Sequence, residues 1–341
     1  MSKKYDIQIE ERVFHFKEPA GTSRGIYTTR RSWFIHLTSP SFPGRKGVGE
    51  CAPLPQLSCD ELPGTDTAGI SRYLSRLREL CTKFEEEGEI DYPLMRPYPS
   101  MLFGLETALL HLQRGSLALF DTPYSRGEET IPINGLVWMG SHEEMLQRME
   151  KKIEEGNRCI KLKIGGIDFE EELDLIKRVR QRFSHRELQL RVDANGAFSP
   201  AEALCKLEQL AQYAIHSIEQ PVKVNQWGLM AQLCREAPIP IALDEELIGV
   251  NLPEMKRQML NIIKPAYIVL KPSLHGGMRG TEEWVEIAKD MGIGSWMTSA
   301  LESHVGLNAV SQLAAKIYGP HITLPQGLGT GKLYTDDIII C

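Results

Sequence analysis

Eight short apolar, β-branched runs recur along the chain from about residue 130, and a stretch carrying helix signals separates each from the next. They are Ile131–Val137, Cys159–Ile164, Leu188–Asp193, Ile215–Glu219, Pro240–Asp244, Tyr267–Lys271, Ser295–Ser299 and His321–Leu324. Their spacing, roughly 25–30 residues, is the size of one βα unit. Ser141 and Glu144 form a capping box before Met145-Leu146, and Gly156 can end that helix. Asp168 caps an amphipathic stretch over Phe169–Phe183. Ser199, Pro200 and Glu202 supply cap, first turn and box residue for another helix, Thr281 opens a further one, and Gly292 follows its end. Eight strands alternating with helices predict an α/β fold of the TIM-barrel type. An open doubly wound sheet is the rival, but no GxGxxG or P-loop follows the first strand. After the eighth run the Gly-rich stretch Gly327-Leu328-Gly329-Thr330-Gly331 forms helix poorly, so the last helix of a full barrel is expected to be absent.

The first hundred or so residues read differently. Tyr5–Phe16, Ser32–Thr38 and Val48–Cys51 have strand character, Gly69–Glu87 is an amphipathic helix, and Tyr92–Pro99 is a Pro-containing connector. We therefore expect an α+β capping domain over residues 1–100 and a barrel over 101–324 that opens with a helix at Met101–Gln113. Residues 325–341 are expected to return to the cap, with Asp337–Cys341 as an added strand.

A net charge of -6 with interspersed signs and no basic run argues against nucleic-acid binding. No apolar stretch approaches the roughly 20 residues a membrane helix needs, and the polar start lacks a signal core. The seven cysteines are dispersed without a CxxC pair, which points to reduced thiols in a cytoplasmic protein. Oligomeric state is not legible.

Active sites of such barrels lie at the C-terminal ends of the strands. There the second run carries Lys161 and Lys163, and the following runs end in Asp193, Glu219, Asp244 and Lys271. One charge at a strand end is ordinarily the solvated start of a loop. Five consecutive strands delivering charge at one height are not, because clustered buried carboxylates need a compensating cation. Asp193, Glu219 and Asp244 are oxygen ligands without His or Cys, which favours Mg²⁺, with Mn²⁺ possible. Lys161 and Lys163, two apart on a strand, face the same way. Mutual repulsion and desolvation are expected to lower a lysine pKa and make a usable base. Lys271 comes from the opposite side of the ring. This set suits removal of the proton beside a small-molecule carboxylate, with positive charge stabilising the enediolate.

These stretches resemble the enolase superfamily, muconate-lactonising-enzyme subgroup: Lys161-Leu162-Lys163, Arg191-Val192-Asp193-Ala194-Asn195, Ile218-Glu219-Gln220-Pro221, Ala242-Leu243-Asp244-Glu245 and Leu270-Lys271-Pro272. The resemblance implies a modified (β/α)7β barrel with an N-terminal capping domain. Within the subgroup, Gly47–Leu54, Ser299–Ser303 with Gly306-Leu307-Asn308, and Gln326–Gly331 are most similar to the o-succinylbenzoate synthase branch. That branch implies syn dehydration of 2-succinyl-6-hydroxy-2,4-cyclohexadiene-1-carboxylate, with Lys163 as base and then acid. Lys161 would lower the Lys163 pKa, and Lys271 would stabilise the enediolate from the other face. Racemisation of N-acylamino acids or dipeptide epimerisation needs the same lysines; a non-catalytic binding barrel is the remote alternative. A Gly-rich eighth-strand region in place of an Asp-x-Asp element argues against an α-ammonium substrate. Arg191, Asn195, Ser299 and Ser303 are candidate substrate contacts, though Arg191 equally suits a structural ion pair and Ser303 a helix cap. His304 has no expected role. The Gly21–Thr29 loop and Pro53–Leu57 are expected to form a lid.

Overall fold

The structure, a computed structural model, describes residues 3–22, 25–60 and 67–338. An antiparallel sheet comes first: β1 (Asp6–Thr22) pairs with β2 (Gly25–Thr38), which pairs with β3 (Gly47–Cys51). Both long strands run beyond their apolar cores, so most of the stretch expected as a lid loop at Gly21–Thr29 is hairpin strand. Its tip, residues 23–24, lies outside the described residues. Helix α1 (Thr67–Glu87) places Tyr73, Leu77, Leu80, Cys81 and Phe84 in one cluster with Trp33, Ile35 and Leu37 of β2. The connector contains a short helix, α2 (Tyr92–Met95), capped by Asp91, and α3 (Pro99–Arg114) follows with proline in its first turn. Met101, Leu102, Leu105, Ala108 and Leu112 of α3 join the cap cluster, while Phe103 joins the barrel core. Strand β3 approaches α3 so closely that a Cβ at Gly47 or Gly49 would strike the carbonyl of Ala108 or Gly104. Here glycine is required by proximity rather than by backbone conformation.

The barrel is built from β4 (Gly135–Val137), α4 (His142–Glu154), β5 (Cys159–Lys163), α5 (Phe169–Arg182), β6 (Gln189–Asp193), α6 (Ala203–Ala211) and β7 (Ser217–Glu219). It continues through α7 (Trp227–Glu236), β8 (Ile241–Leu243), α8 (Pro253–Ile263), β9 (Tyr267–Leu270), α9 (Gly277–Asp290), β10 (Gly294–Met297) and α10 (His304–Tyr318). The seven strands pair in parallel and in chain order. The Ser141–Glu144 capping box and the Asp168 cap are both formed. Two helices start elsewhere than their signals suggest. α6 begins at Ala203, one turn beyond Ser199; α9 begins at Gly277, and the Thr281 hydroxyl donates back to the Gly277 carbonyl.

The eighth run is corrected. His321–Leu324 forms no strand; it is flanked by Pro320 and Pro325, and His321 has a φ of 68°. Closure falls to Gln326 and Gly327, which bridge Ile133, just before β4, and Thr298, just after β10. Asn134 N–H donates to the Gln326 carbonyl at 3.0 Å, and Gly327 N–H donates to the Met297 carbonyl at 2.7 Å. The buried Gln326 side chain extends the seam by accepting the Met297 N–H at 2.7 Å. A Cβ at Gly327 would collide with the Thr298 side chain. Among the described residues no helix follows, as expected.

The chain then returns to β1, but earlier than Asp337–Cys341. Tyr334 bridges Phe16, Lys17 N–H donates to the Leu333 carbonyl and Thr335 N–H to the His15 carbonyl. Residues 339–341 lie outside the described residues. Phe14, Phe16 and Phe34 of the cap, Leu274, Ala300, Leu301 and Val305 of the barrel, and Tyr334 of the tail share one buried cluster. Burying each large apolar side chain contributes roughly 1.5–3 kcal/mol, so this seam is a stabilising contact rather than a loose hinge.

Candidate active site

Strand register aligns the charged residues. Lys163 on β5 lies beside Asp193 on β6, which lies beside Glu219 on β7. Asp244 follows β8 and Lys271 follows β9. Asp193, Glu219 and Asp244 are 0%, 2% and 0% exposed, so their charges are answered inside the protein. The lysines answer them. Lys161 Nζ donates to both Glu219 oxygens at 2.6 and 2.7 Å and lies 2.8 Å from Asp193 Oδ2. Lys163 Nζ donates to Asp193 Oδ2 at 2.8 Å and to Asn195 Oδ1 at 2.7 Å. Lys271 Nζ donates to Asp244 Oδ2.

Carboxylates set the direction of the Lys161 and Lys271 pKa values. Burial does work to lower that of Lys161, but the charges of Asp193, Glu219 and Asp244 outweigh it, and the group is held above its ordinary value. Lys271 is likewise raised: burial opposes, and Asp244 and Glu245 prevail. Asp193 is held low, because Lys161 and Lys163 outweigh the effect of its burial. Burial and the neighbouring Asp193 push Glu219 up, and Lys161 offsets this in part.

Asn195 and Glu245 extend the network. Asn195, with a φ of 44°, donates from Nδ2 to Glu245 Oε1 at 2.9 Å while accepting from Lys163. Its N–H also donates to Asp193 Oδ1 at 3.1 Å. It thus orients both a lysine and a carboxylate. Gln220 ties neighbouring strand ends: Oε1 accepts the Asp244 and Glu246 N–H groups at 3.3 and 3.2 Å.

A cavity opens over this network. Lys161, Lys163, Asn195, Glu245 and Lys271 line it from below; Thr298, Ser299, Ala300, Leu301 and Thr330 line it from the barrel loops. Tyr27, Leu54 and Leu57 of the cap and Trp138 after β4 contribute apolar surface. The cap residues come from the two stretches expected to cover the site. Ser299 Oγ is 2.6 Å from Thr330 Oγ1.

Two candidate contacts do not reach the cavity. Arg191 is buried within the barrel, 4.2 Å over the Trp296 ring, with Nη1 donating to the Pro325 carbonyl at 2.9 Å. Ser303 is fully buried; it caps α10 and donates from Oγ to Glu50 Oε2 at 2.6 Å. His304 opens α10, with Nε2 2.7 Å from the Gly331 carbonyl. Sequence reasoning assigned no role to Glu245, Trp138, Thr298 or Thr330. A signal for Glu245 existed, since it adjoins Asp244; the others are recognisable only once the loops are folded.

The donor set fits a hard divalent cation. All three carboxylates are oxygen donors, and buried Asp244 Oδ1 has no hydrogen-bond partner. Among the described residues, though, no His, Cys, Asp or Glu group converges as a ready ligand cluster. The ammonium groups of Lys161 and Lys271 lie where such a charge is needed, so cation binding has to compete with them.

The enolase C-terminal domain-like family matches residues 144–326. An o-succinylbenzoate synthase of Desulfotalea psychrophila is 44% identical over 350 residues, covering 95% of this chain and 92% of that protein. The crystal structure of MenC from the same organism superposes with a TM-score of 0.81 at 39% identity, covering 99% of this chain and 97% of that one. An N-succinylamino acid racemase of Thermus thermophilus is 34% identical over 201 residues, covering 59% of this chain and 51% of that protein. With a family match over more than half its length and these relatives, the chain belongs to the enolase C-terminal domain-like family.

Proposed function

We propose that this chain is an o-succinylbenzoate synthase, a hydro-lyase of menaquinone biosynthesis acting on 2-succinyl-6-hydroxy-2,4-cyclohexadiene-1-carboxylate. The observation that carries the reading is the pair of lysine stations: Lys163 on β5 and Lys271 beyond β9 both line the cavity above three buried carboxylates. The 44% identity to a synthase over 95% of the chain supports the substrate.

Asp193, Glu219 and Asp244 would hold the cation, and their oxygen chemistry suits Mg²⁺, with Mn²⁺ the alternative. When bound it supplies positive charge at the substrate carboxylate, where the enediolate develops. Lys163 removes the ring proton beside that carboxylate, with Asn195 holding its Nζ in place. The departing hydroxide lies on the same face, so Lys163 can return that proton to it and release water. Lys271 faces the enediolate from across the ring. Lys161 is a positioning residue: it keeps Asp193 and Glu219 together and adds positive charge beneath the carboxylate. Ser299 and Thr330 offer hydroxyls to the rest of the substrate. Arg191 and Ser303 act through packing and capping instead. No helix among the described residues is long and apolar enough to cross a membrane, and we place the enzyme in the cytoplasm.

Dehydration is measured directly with Mg²⁺ and after chelation. Loss of activity on chelation and its return with metal are expected; full activity without metal would contradict the reading. Lys163→Ala should abolish turnover with an unchanged circular-dichroism spectrum, and a near wild-type rate would exclude Lys163 as the base. Racemisation of N-succinyl amino acids is the second reading, favoured by the opposed lysines and the Thermus relative. Rapid α-deuterium exchange in D₂O with negligible dehydration would establish it in place of the synthase.

A further inference from the structure

Leu301 lines the cavity with a left-handed backbone, φ 64°. That region crowds Cβ against the backbone, and a leucine stays there only when its neighbours over-determine it. Tyr334 Oη donates to the Leu301 carbonyl at 2.6 Å, and Arg30 Nε donates to the same oxygen at 3.4 Å. Glu302 braces the preceding peptide by accepting the Ala300 N–H at 2.6 Å and the Ser273 hydroxyl at 2.5 Å.

Arg30 does more than hold one carbonyl. It is 3% exposed on β2, and its hydrogen bonds go to backbone carbonyls rather than to a carboxylate. Its acceptors are four backbone carbonyls on two segments. Nη2 donates to Ala52 at 2.5 Å and to Ala300 at 3.4 Å, Nη1 donates to Pro53, and Nε donates to Leu301. The cap segment leads directly to Leu54 and Leu57, which line the cavity with Leu301. Glu302 answers the Arg30 charge only through space, without a direct ion pair, and a rigid five-donor fork is the side chain that can hold two loops at a set separation.

We propose that Arg30 is a positioning residue that joins the cap loop at 52–57 to the barrel loop at 299–302. By keeping Leu301 left-handed, it assembles Leu54, Leu57 and Leu301 into one apolar wall against the non-reacting part of the substrate. The inference rests on the synthase reading for its substrate. It assigns Arg30 to substrate binding through that wall, not to the chemical step.

The test is a double-mutant cycle in the full chain with Arg30→Met and Leu301→Gly, read as kcat and KM for dehydration. Arg30→Met should raise KM at least about tenfold while kcat changes by less than about threefold. Glycine takes a positive φ unaided, so on the Leu301→Gly background the KM penalty of Arg30→Met should fall at least about threefold, to the part carried by Ala52 and Pro53. An unchanged KM in Arg30→Met, or the same penalty on both backgrounds, would overturn the proposal. Arg30→Lys, which keeps the charge but not the fork, replaces Arg30→Met if that variant does not fold, with the same expectations. A wild-type chain without dehydration would refute the synthase reading instead, and the cycle is then read on α-deuterium exchange of N-succinyl amino acids.

Discussion

Glu50 offers the sharpest test of how the cap is joined to the barrel. It lies on β3, fully buried, and its carboxylate accepts from four donors. These are the Ser32 hydroxyl at 2.7 Å, the Ser303 hydroxyl at 2.6 Å, the Ser303 N–H at 3.0 Å and the Gly306 N–H at 3.0 Å. Three of the four belong to the start of α10, where N–H groups lack intrahelical partners and the helix dipole favours negative charge. Glu50→Gln keeps the volume and one acceptor oxygen. With that oxygen in the place of Oε2 it still meets the Ser303 and Gly306 donors, and the Ser32 hydroxyl can turn to accept from the amide. What is lost is charge assistance and the dipole contact, partly offset by removing a buried charge, for a net cost of about 2 kcal/mol. Glu50→Ala leaves two backbone N–H groups buried without an acceptor, at about 1–3 kcal/mol each, and opens a cavity, for a cost of about 4–5 kcal/mol. Urea unfolding of wild type and both variants, followed by circular dichroism, measures this. An alanine variant less than about 1 kcal/mol below wild type, or a glutamine variant as costly as the alanine one, would refute the argument.

Other outcomes follow from the same structure. His275 is buried, its Nδ1 accepts the Lys271 N–H at 2.9 Å, and burial pushes its pKa down to about 3. Between its ordinary value near 6.5 and about 3, the unfolded chain binds a proton that the folded chain refuses, so stability is full above 6.5 and falls as pH drops, by about 5 kcal/mol in all. Urea midpoints at pH 7, 5 and 4 should show this slope, and His275→Asn should flatten it; equal slopes would remove His275 as the cause. Asn195→Leu frees Lys163 from its 2.7 Å tether and should lower kcat about tenfold. A wild-type kcat in that variant would argue against the tether. Gly327→Ala forces a Cβ into Thr298 and should destabilise by about 1–3 kcal/mol, so an unchanged urea midpoint would contradict the tight seam.

What the sequence revealed and what it hid divide along physical lines. Lys161, Lys163, Asp193, Glu219, Asp244 and Lys271 were legible because each stands at the end of a short apolar run, a local property. The eighth stave was misplaced because closure uses one glutamine, whose side chain substitutes for backbone, and one glycine; neither has strand character. Ile322 and Thr323, which do, lie between prolines and form no strand. The direction of the Lys161 shift was not legible, because a neighbouring lysine is visible on the same strand, whereas the carboxylates that decide it arrive from three other strands. Arg30 and Glu50 were unreadable as a pair of struts because their barrel partners lie 271 and 253 positions away. Gly47–Leu54 was recognisable as a family stretch; its reason, the close approach of β3 to α3 and the buried Glu50, emerges only from packing.

The two-residue closure at Gln326 and Gly327 also constrains the order of assembly. Every other barrel pairing, that of residue 327 with residue 298 included, joins neighbours one crossover apart, but residue 326 pairs with residue 133, and a few residues later Tyr334 meets Phe16. During synthesis the sheet can grow stave by stave, yet it stays an open, curled surface with an unpaired edge at β4 until that short stretch has emerged. Contacts of such sequence separation form late and slowly. The seal, the Gly-rich wall of the cavity and the clip to the cap then arrive together. A nascent chain stopped a dozen residues short of position 335 would display most of its core and no site, with an edge strand exposed to aggregation.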